Sequence, residues 1–270
     1  MKLGIGTYAF MWSIGFPGAE PVTPMNAFDL LGKAMDLGVK VIQYGPNLPL
    51  DSLSPDELST LLGHAKAGGI TIEIGTQGLD PSCLRNQLKL AARVGSRVLR
   101  TTTEGPDGST VPLGQMRTNI LQIVPALVEH DVFLAIENGR VPASTLADLV
   151  DSANSSHVGI TLDTVNSLAV PEGTEQVIDL LAKHTKCLHV KDFIVERLWH
   201  RMGFSVQGRP AGEGQLNVPE LLEKVLNSAP GSNAILELWP PEQGTLEDTI
   251  RLENAWAAKS VRNLRRYISD

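Results

Sequence analysis

Phe133-Leu134-Ala135-Ile136-Glu137-Asn138 is an apolar run that stops on a carboxylate, and three later runs repeat the form. They are Gly159-Ile160-Thr161-Leu162-Asp163-Thr164, Cys187-Leu188-His189-Val190-Lys191-Asp192 and Ile235-Leu236-Glu237-Leu238-Trp239. Each is short, apolar and bounded by polar residues, the form of a strand buried on both faces. Glu137 and Asp163 lie 26 positions apart, as do Asp163 and His189, about one strand plus one helix. Equivalent positions on neighbouring parallel strands would bring these side chains to one point.

Upstream, Leu3 to Tyr8, Val39 to Tyr44, Thr71 to Thr76 and Arg97 to Thr102 have the same character. With Val132 to Asn138, Val158 to Thr164, Lys186 to Lys191 and Ala234 to Trp239 they make eight strand candidates. Helical stretches between them open on Thr23-Pro24, Ser54-Pro55, Asp80-Pro81 and Asn217, and Gly38 and Gly95 mark helix ends. Strands alternating with helices call for a parallel sheet with right-handed crossovers, closing into a (β/α)8 TIM barrel of the α/β class. The 270 residues match the roughly 250 of one such barrel, and no linker divides them, so residues 1–270 are expected as a single domain. A doubly wound open sheet is the alternative. It would carry a ligand site at a strand switch point, and neither a GxGxxG nor a P-loop follows any strand.

Hydrophobic residues make up 42% and charged residues 20%, ordinary for a folded globular chain. The formal net charge of -7 opposes a phosphate backbone, so nucleic acid is not an expected partner. No apolar run approaches the roughly 18 residues of a membrane span, and the N-terminus has no signal-peptide core, which points away from membranes and toward the cytoplasm. Cys83 and Cys187 form no CxxC, so neither a disulfide framework nor a thiolate metal site is expected.

Three carboxylates converging without a cation would repel and raise one another's pKa, whereas a divalent metal lets all of them stay ionised. Glu137, Asp163, His189 and Glu237 are therefore candidate ligands of one divalent ion. Oxygen-rich ligation with one imidazole suits Mn2+ or Mg2+ first, with Co2+ or Zn2+ as alternatives. The competing account makes each an ordinary polar residue at a strand end. It explains one such residue well and four consecutive ones poorly.

These residues, in the settings IEN, LDTVN, HVKD and LELW and followed by Pro210-Ala211-Gly212-Glu213-Gly214, resemble the xylose isomerase-like TIM barrel superfamily of sugar phosphate isomerases/epimerases and family 2 AP endonucleases. The resemblance covers essentially the whole chain. It implies one catalytic metal on the same four residues, with Glu137 and Glu237 as an acid/base pair on opposite faces of the substrate. A metal bridging a ketone and its neighbouring hydroxyl acidifies the C–H between them and stabilises an enediolate, which makes that assignment chemically sound. One departure matters: three residues after the Asp, many epimerases place a His, and here the position is Asn166, which cannot shuttle a proton. Strands two and three end near Gln43-Tyr44 and Gly75-Thr76 without the histidines of a three-metal cluster, which argues against DNA repair.

Lys191 alternates with His189 and so faces the same way, placing a fixed positive charge beside the ligands. The residues after it carry Arg197, His200 and Arg201 and read as a cation-rich loop over the site, with a solvated helix face as the alternative. Arg100, Arg201 and Arg209 are candidates for binding a substrate carboxylate or phosphate. Tyr8, Trp12 and Trp239 are candidate pocket walls, and Gln43 and Asn166 candidate partners of sugar hydroxyls.

The resulting reading is a divalent-metal-dependent isomerase, epimerase or carbon–carbon lyase, acting on a small keto sugar or sugar acid through an enediolate or enolate. Its catalytic residues are Glu137, Glu237 and Lys191. The Gly6-Thr7-Tyr8-Ala9-Phe10-Met11-Trp12 opening and the Met202-Gly203-Phe204 segment are similar to the 3-oxo-isoapionate decarboxylase-like branch, so loss of CO2 from a 3-oxo sugar acid is a second expectation. A non-catalytic sugar-acid-binding barrel is a third. Family likeness also implies a homodimer.

Overall fold

Because successive strand side chains alternate faces, each of the eight runs sends every second residue into a common interior. In the computed structural model, which describes residues 1–269, the strands are β1 (Leu3–Gly6), β2 (Val41–Tyr44), β3 (Thr71–Gly75), β4 (Val98–Thr101), β5 (Phe133–Glu137), β6 (Val158–Asp163), β7 (Thr185–Val190) and β10 (Asn233–Leu236). All pair in parallel around a closed ring, β1-β10-β7-β6-β5-β4-β3-β2. The β1–β10 ladder closes it and removes the open-sheet alternative. Val41, Val98, Ala135, Cys187 and Ile235 form an apolar layer. Two residues further along the same strands stand Gln43, Arg100, Glu137, His189 and Glu237, a polar layer resting on that plug.

Outside the ring lie α1 (Met11–Ile14), α2 (Ala27–Leu37), α3 (Pro55–Ala67), α4 (Pro81–Val94), α5 (Leu113–His130), α6 (Ala143–Asp151), α7 (Thr174–Leu181), α8 (Val218–Ser228) and α9 (Leu246–Leu264). Their starts follow side-chain chemistry. Ser54 and Glu57 make a capping box, Asp80 accepts from the amides of Ser82 and Cys83, and Asn217 accepts from Glu220 N. Gly38 and Gly95 end α2 and α4 with left-handed φ of 68° and 74°. The start of α2 differs from the sequence expectation: Asn26 caps it in a reciprocal pair with Asp29, and Thr23 lies outside. Among the described residues no helix is long and apolar enough to cross a membrane.

The cation-rich segment after β7 is a hairpin, neither a loop nor a helix. Strands β8 (Asp192–Arg197) and β9 (Phe204–Arg209) pair antiparallel, with Arg201 and Gly203 at positive φ in the turn. Asp192 anchors its base: Oδ1 accepts from Phe193 N and Leu216 N, and Oδ2 from Gly212 N and Gly214 N. A Cβ at Gly214 would overlap Asp192 Oδ1, which is why the turn after β9 carries glycine there.

Candidate active site

Strand register delivers the four candidate ligands to one place. Asp163 is level with His189 across β6 and β7, and Ile235 with His189 across β7 and β10. One ligand atom from each of Glu137, Asp163, His189 and Glu237 lies within 4.8 Å of the others, and all four residues are buried. Asp163 is aimed by its neighbours. Its Oδ1 accepts from Val165 N at 2.8 Å and Asn166 N at 2.7 Å, while Asn138 brackets its backbone, accepting from Asp163 N and donating to Asp163 O. Oδ2 is left facing the cluster with no aligned hydrogen bond. His189 is held at Nε2, 2.7 Å from Gln43 Oε1, and its Nδ1 is likewise without a hydrogen-bond partner, 3.5 Å from Glu137 Oε2 and 3.3 Å from Glu237 Oε1. An imidazole nitrogen without a hydrogen-bond partner, converging with three buried carboxylates, is an arrangement that fits a divalent cation.

Two permanent cations belong to the same cluster. Arg100 donates from Nε and Nη2 to Glu137 Oε2 and from Nη1 to Thr76 O. Lys191 Nζ stands 3.0 Å from Asp163 Oδ2 and 2.9 Å from Glu237 Oε2, and donates to Asn166 Oδ1 at 3.2 Å. Asn166 Nδ2 donates in turn to Glu137 Oε1 at 2.6 Å. That approach depends on Gly139, whose φ is 133° and whose Cβ, if present, would stand 2.5 Å from Asn166 Cβ. Burial alone would raise the Glu137 carboxyl, but Arg100 and then His189 hold it well below the usual carboxylate range. Burial pushes the Asp163 carboxyl up against the pull of Lys191. Burial would lower Lys191, yet Asp163 and Glu237 hold its ammonium well above the usual lysine range.

Above the cluster opens a cleft of about 290 Å3, lined by Tyr8, Gln77, Arg100, Glu104, Glu137, Arg140, Asn166, Lys191 and Glu237 among others. At its rim Arg140 Nε pairs with Glu104 Oε1 at 2.7 Å. Other cavities, of about 520 Å3 around Glu73 and Asn233 and about 360 Å3 between α7 and α8, touch none of the four ligands. The smaller, charged cleft is therefore the site with chemistry in it.

The sequence profile of xylose isomerase-like TIM barrels matches residues 31–265. The chain belongs to that family. The 3-oxo-isoapionate decarboxylase of Pectobacterium atrosepticum is 30% identical to it over 266 residues, 98% of this chain and 95% of that one. Among solved structures, D-psicose 3-epimerase of Clostridium cellulolyticum H10, crystallised with D-tagatose, superposes with a TM-score of 0.73 at 14% identity over 99% of each chain. A xylose isomerase-like protein of Mycobacterium smegmatis, in complex with magnesium, gives 0.72 at 12% identity over 97% of each. At those identities the two structures speak to the fold.

In this xylose isomerase-like barrel Tyr8, Arg100, Asn166 and Lys191 all reach the cleft, with the Arg100 guanidinium 5.9 Å from the Tyr8 ring centre. Five expected substrate contacts do not. Gln43, 3% exposed, stands in the ligand layer with its amide taken up by His189 and Glu73. Trp12 turns its ring onto Phe16. Trp239 donates from Nε1 to Asp192 O at the hairpin base. Arg209 bonds Gln207 and Gly208 O on its own strand. Arg201 sits exposed in the hairpin turn at φ 63°. Gln77, Glu104 and Arg140 also line the cleft and are not marked by the sequence pattern, because they lie beyond strand ends in segments without periodicity. Their one signal is that position just past a strand end.

Proposed function

We propose that this protein is a divalent-metal-dependent decarboxylase of a small 3-oxo sugar acid. The observation that carries this reading is the state of Glu137: both of its carboxylate oxygens already accept hydrogen bonds, from Arg100 and from Asn166. Glu237 is likewise held by Lys191. Two-base epimerisation needs a pair of carboxylates ready to take up a proton, and these are the wrong pair for it. Loss of CO2 from a β-keto acid needs no such base. Its carbon–carbon bond breaks with the electron pair moving toward the ketone oxygen, and one proton must then be added at carbon.

An ion on Glu137, Asp163, His189 and Glu237 would act as a Lewis acid toward the ketone oxygen. Arg100 and Lys191 add fixed positive charge where negative charge accumulates. Lys191 lines the cleft and carries the nearest ammonium proton for return to carbon. Arg140 at the rim offers a guanidinium to a substrate anion. Likeness to the Pectobacterium decarboxylase supports the same choice. A panel of 3-oxo sugar acids and neutral ketoses, assayed for CO2 release and for deuterium uptake from solvent, tests it. CO2 from an acid is expected; epimerisation of a neutral ketose with no CO2 from any acid overturns it.

A further inference from the structure

Below the ligands lies a buried carboxylate that this reaction does not use. Glu73, inward-facing on β3 and 2% exposed, accepts from Asn233 Nδ2 at 2.7 Å on Oε1 and from Gln43 Nε2 at 3.0 Å on Oε2. Gln43 is its register partner on β2 and turns its other amide atom, Oε1, to His189 Nε2 at 2.7 Å. The contacts form one chain through the barrel interior, from Asn233 through Glu73 and Gln43 to His189. Burial pushes the Glu73 carboxyl up and the amide donors of Asn233 and Gln43 oppose it; Asn233 Oδ1 accepts from Lys2 N, which leaves its Nδ2 for Glu73, so both carboxyl oxygens accept N–H groups.

Each link in that chain has a direction. Gln43 gives its NH2 to Glu73 Oε2 and so has only its carbonyl oxygen left for His189. A carbonyl oxygen only accepts, so His189 Nε2 keeps its proton, and Nδ1, the nitrogen facing Glu137 and Glu237, is the one that offers a lone pair when the imidazole is neutral. Flipping the Gln43 amide would set oxygen against carboxylate and NH2 against N–H, losing two buried hydrogen bonds at once.

We propose that Glu73 is a positioning residue which, through the Gln43 amide, fixes the tautomer of His189 so that Nδ1 is the ligating nitrogen. Metal-bound histidines are commonly oriented by a carboxylate or carbonyl in direct contact. Here an amide is interposed, and its orientation is set from behind. The inference rests on the metal reading of the four-residue cluster.

The test is the affinity of the full-length protein for Mn2+, Mg2+ and Zn2+ by titration calorimetry, with folding followed by circular dichroism. Glu73→Gln is isosteric, yet the new amide bonds Asn233 through its oxygen and turns an NH2 to Gln43, which must then flip. Its metal affinity is expected to fall by about 10–100-fold. The exchange variant Glu73→Gln/Gln43→Glu puts an acceptor back against Nε2 and is expected to recover most of that loss, which a role in packing alone would not produce. Glu73→Gln binding as tightly as the wild type, or a folded exchange variant binding no better than Glu73→Gln, overturns the proposal. Should Glu73→Gln not fold, Gln43→Met, which keeps volume and deletes the acceptor, must show the same loss. A wild-type chain that takes up none of the three ions overturns the metal reading itself, a different result from wild-type binding with an indifferent Glu73→Gln.

Discussion

The Lys191 ammonium stands 2.9 Å from the Glu237 carboxylate, so the cation best placed to supply a proton is held by a residue that is also a candidate metal ligand. Lys191→Met keeps the stem and removes the charge and the proton. The rate of CO2 release is expected to fall by about 10^2–10^4-fold, the usual contribution of a positioned acid. Affinity for Mn2+ should not weaken, since a cation competing for Asp163 and Glu237 is gone. A rate within threefold of wild type would remove Lys191 from the chemistry.

Stripping divalent ions with a chelator is expected to abolish activity while leaving the far-ultraviolet dichroism unchanged. Restoring an ion at about 1,000 times its dissociation constant should stabilise the fold by about 4 kcal/mol, read as an upward shift of the thermal midpoint. Unaltered activity in the stripped protein contradicts the metal reading.

Glu253 on α9 supplies a pH test far from the ligands. It accepts from Trp12 N, Ser13 N and Ser13 Oγ, yet burial outweighs these bonds and pushes its carboxyl up to about 7 from 4.5. A carboxyl raised on folding favours the fold while protonated. Its contribution is complete below pH 4.5, declines as pH rises toward 7 and is level above, a change of about 3 kcal/mol. The stability of the wild type relative to Glu253→Gln is therefore expected to drop between pH 5 and pH 8 in urea titrations. An equal difference at both pH values would show that the carboxyl titrates alike in folded and unfolded chains.

Asp192 and Gly214 form one joint at the hairpin base. Gly214→Ala should cost about 2 kcal/mol through overlap with Asp192 Oδ1. Asp192→Asn puts an NH2 where two of the four backbone amides donate, for a loss of about 3 kcal/mol. Denaturant midpoints measure both, and an unchanged midpoint in Gly214→Ala would mean that the turn can shift without cost.

The strands and the four clustered residues were legible because both follow from a period of two: an apolar run ending on a ligand type puts that side chain inside a barrel at a defined height. The same rule misassigned Gln43. It points inward as the pattern requires, but its amide is taken up by His189 and Glu73, and pairing between distant strands is something no single strand reveals. Glu73 carries a usable signal as a carboxylate alternating with Ile72 and Ile74, but it stands mid-strand, away from the strand ends where catalytic side chains gather. The hairpin escaped because Trp199, Arg201 and Met202 look like any polar-apolar mixture until Phe204 and Val206 are paired with Arg197 and Val195 across the turn.

Arg100 and Lys191 also bear on how the barrel folds, since they pair with Glu137, Asp163 and Glu237 without help from an ion. With two permanent cations set among three carboxylates, the barrel can close before any ion arrives, and synthesis need not keep pace with metal supply. On the metal reading, a chain without its ion would then be folded and inactive, where a site built of bare carboxylates would leave it unfolded.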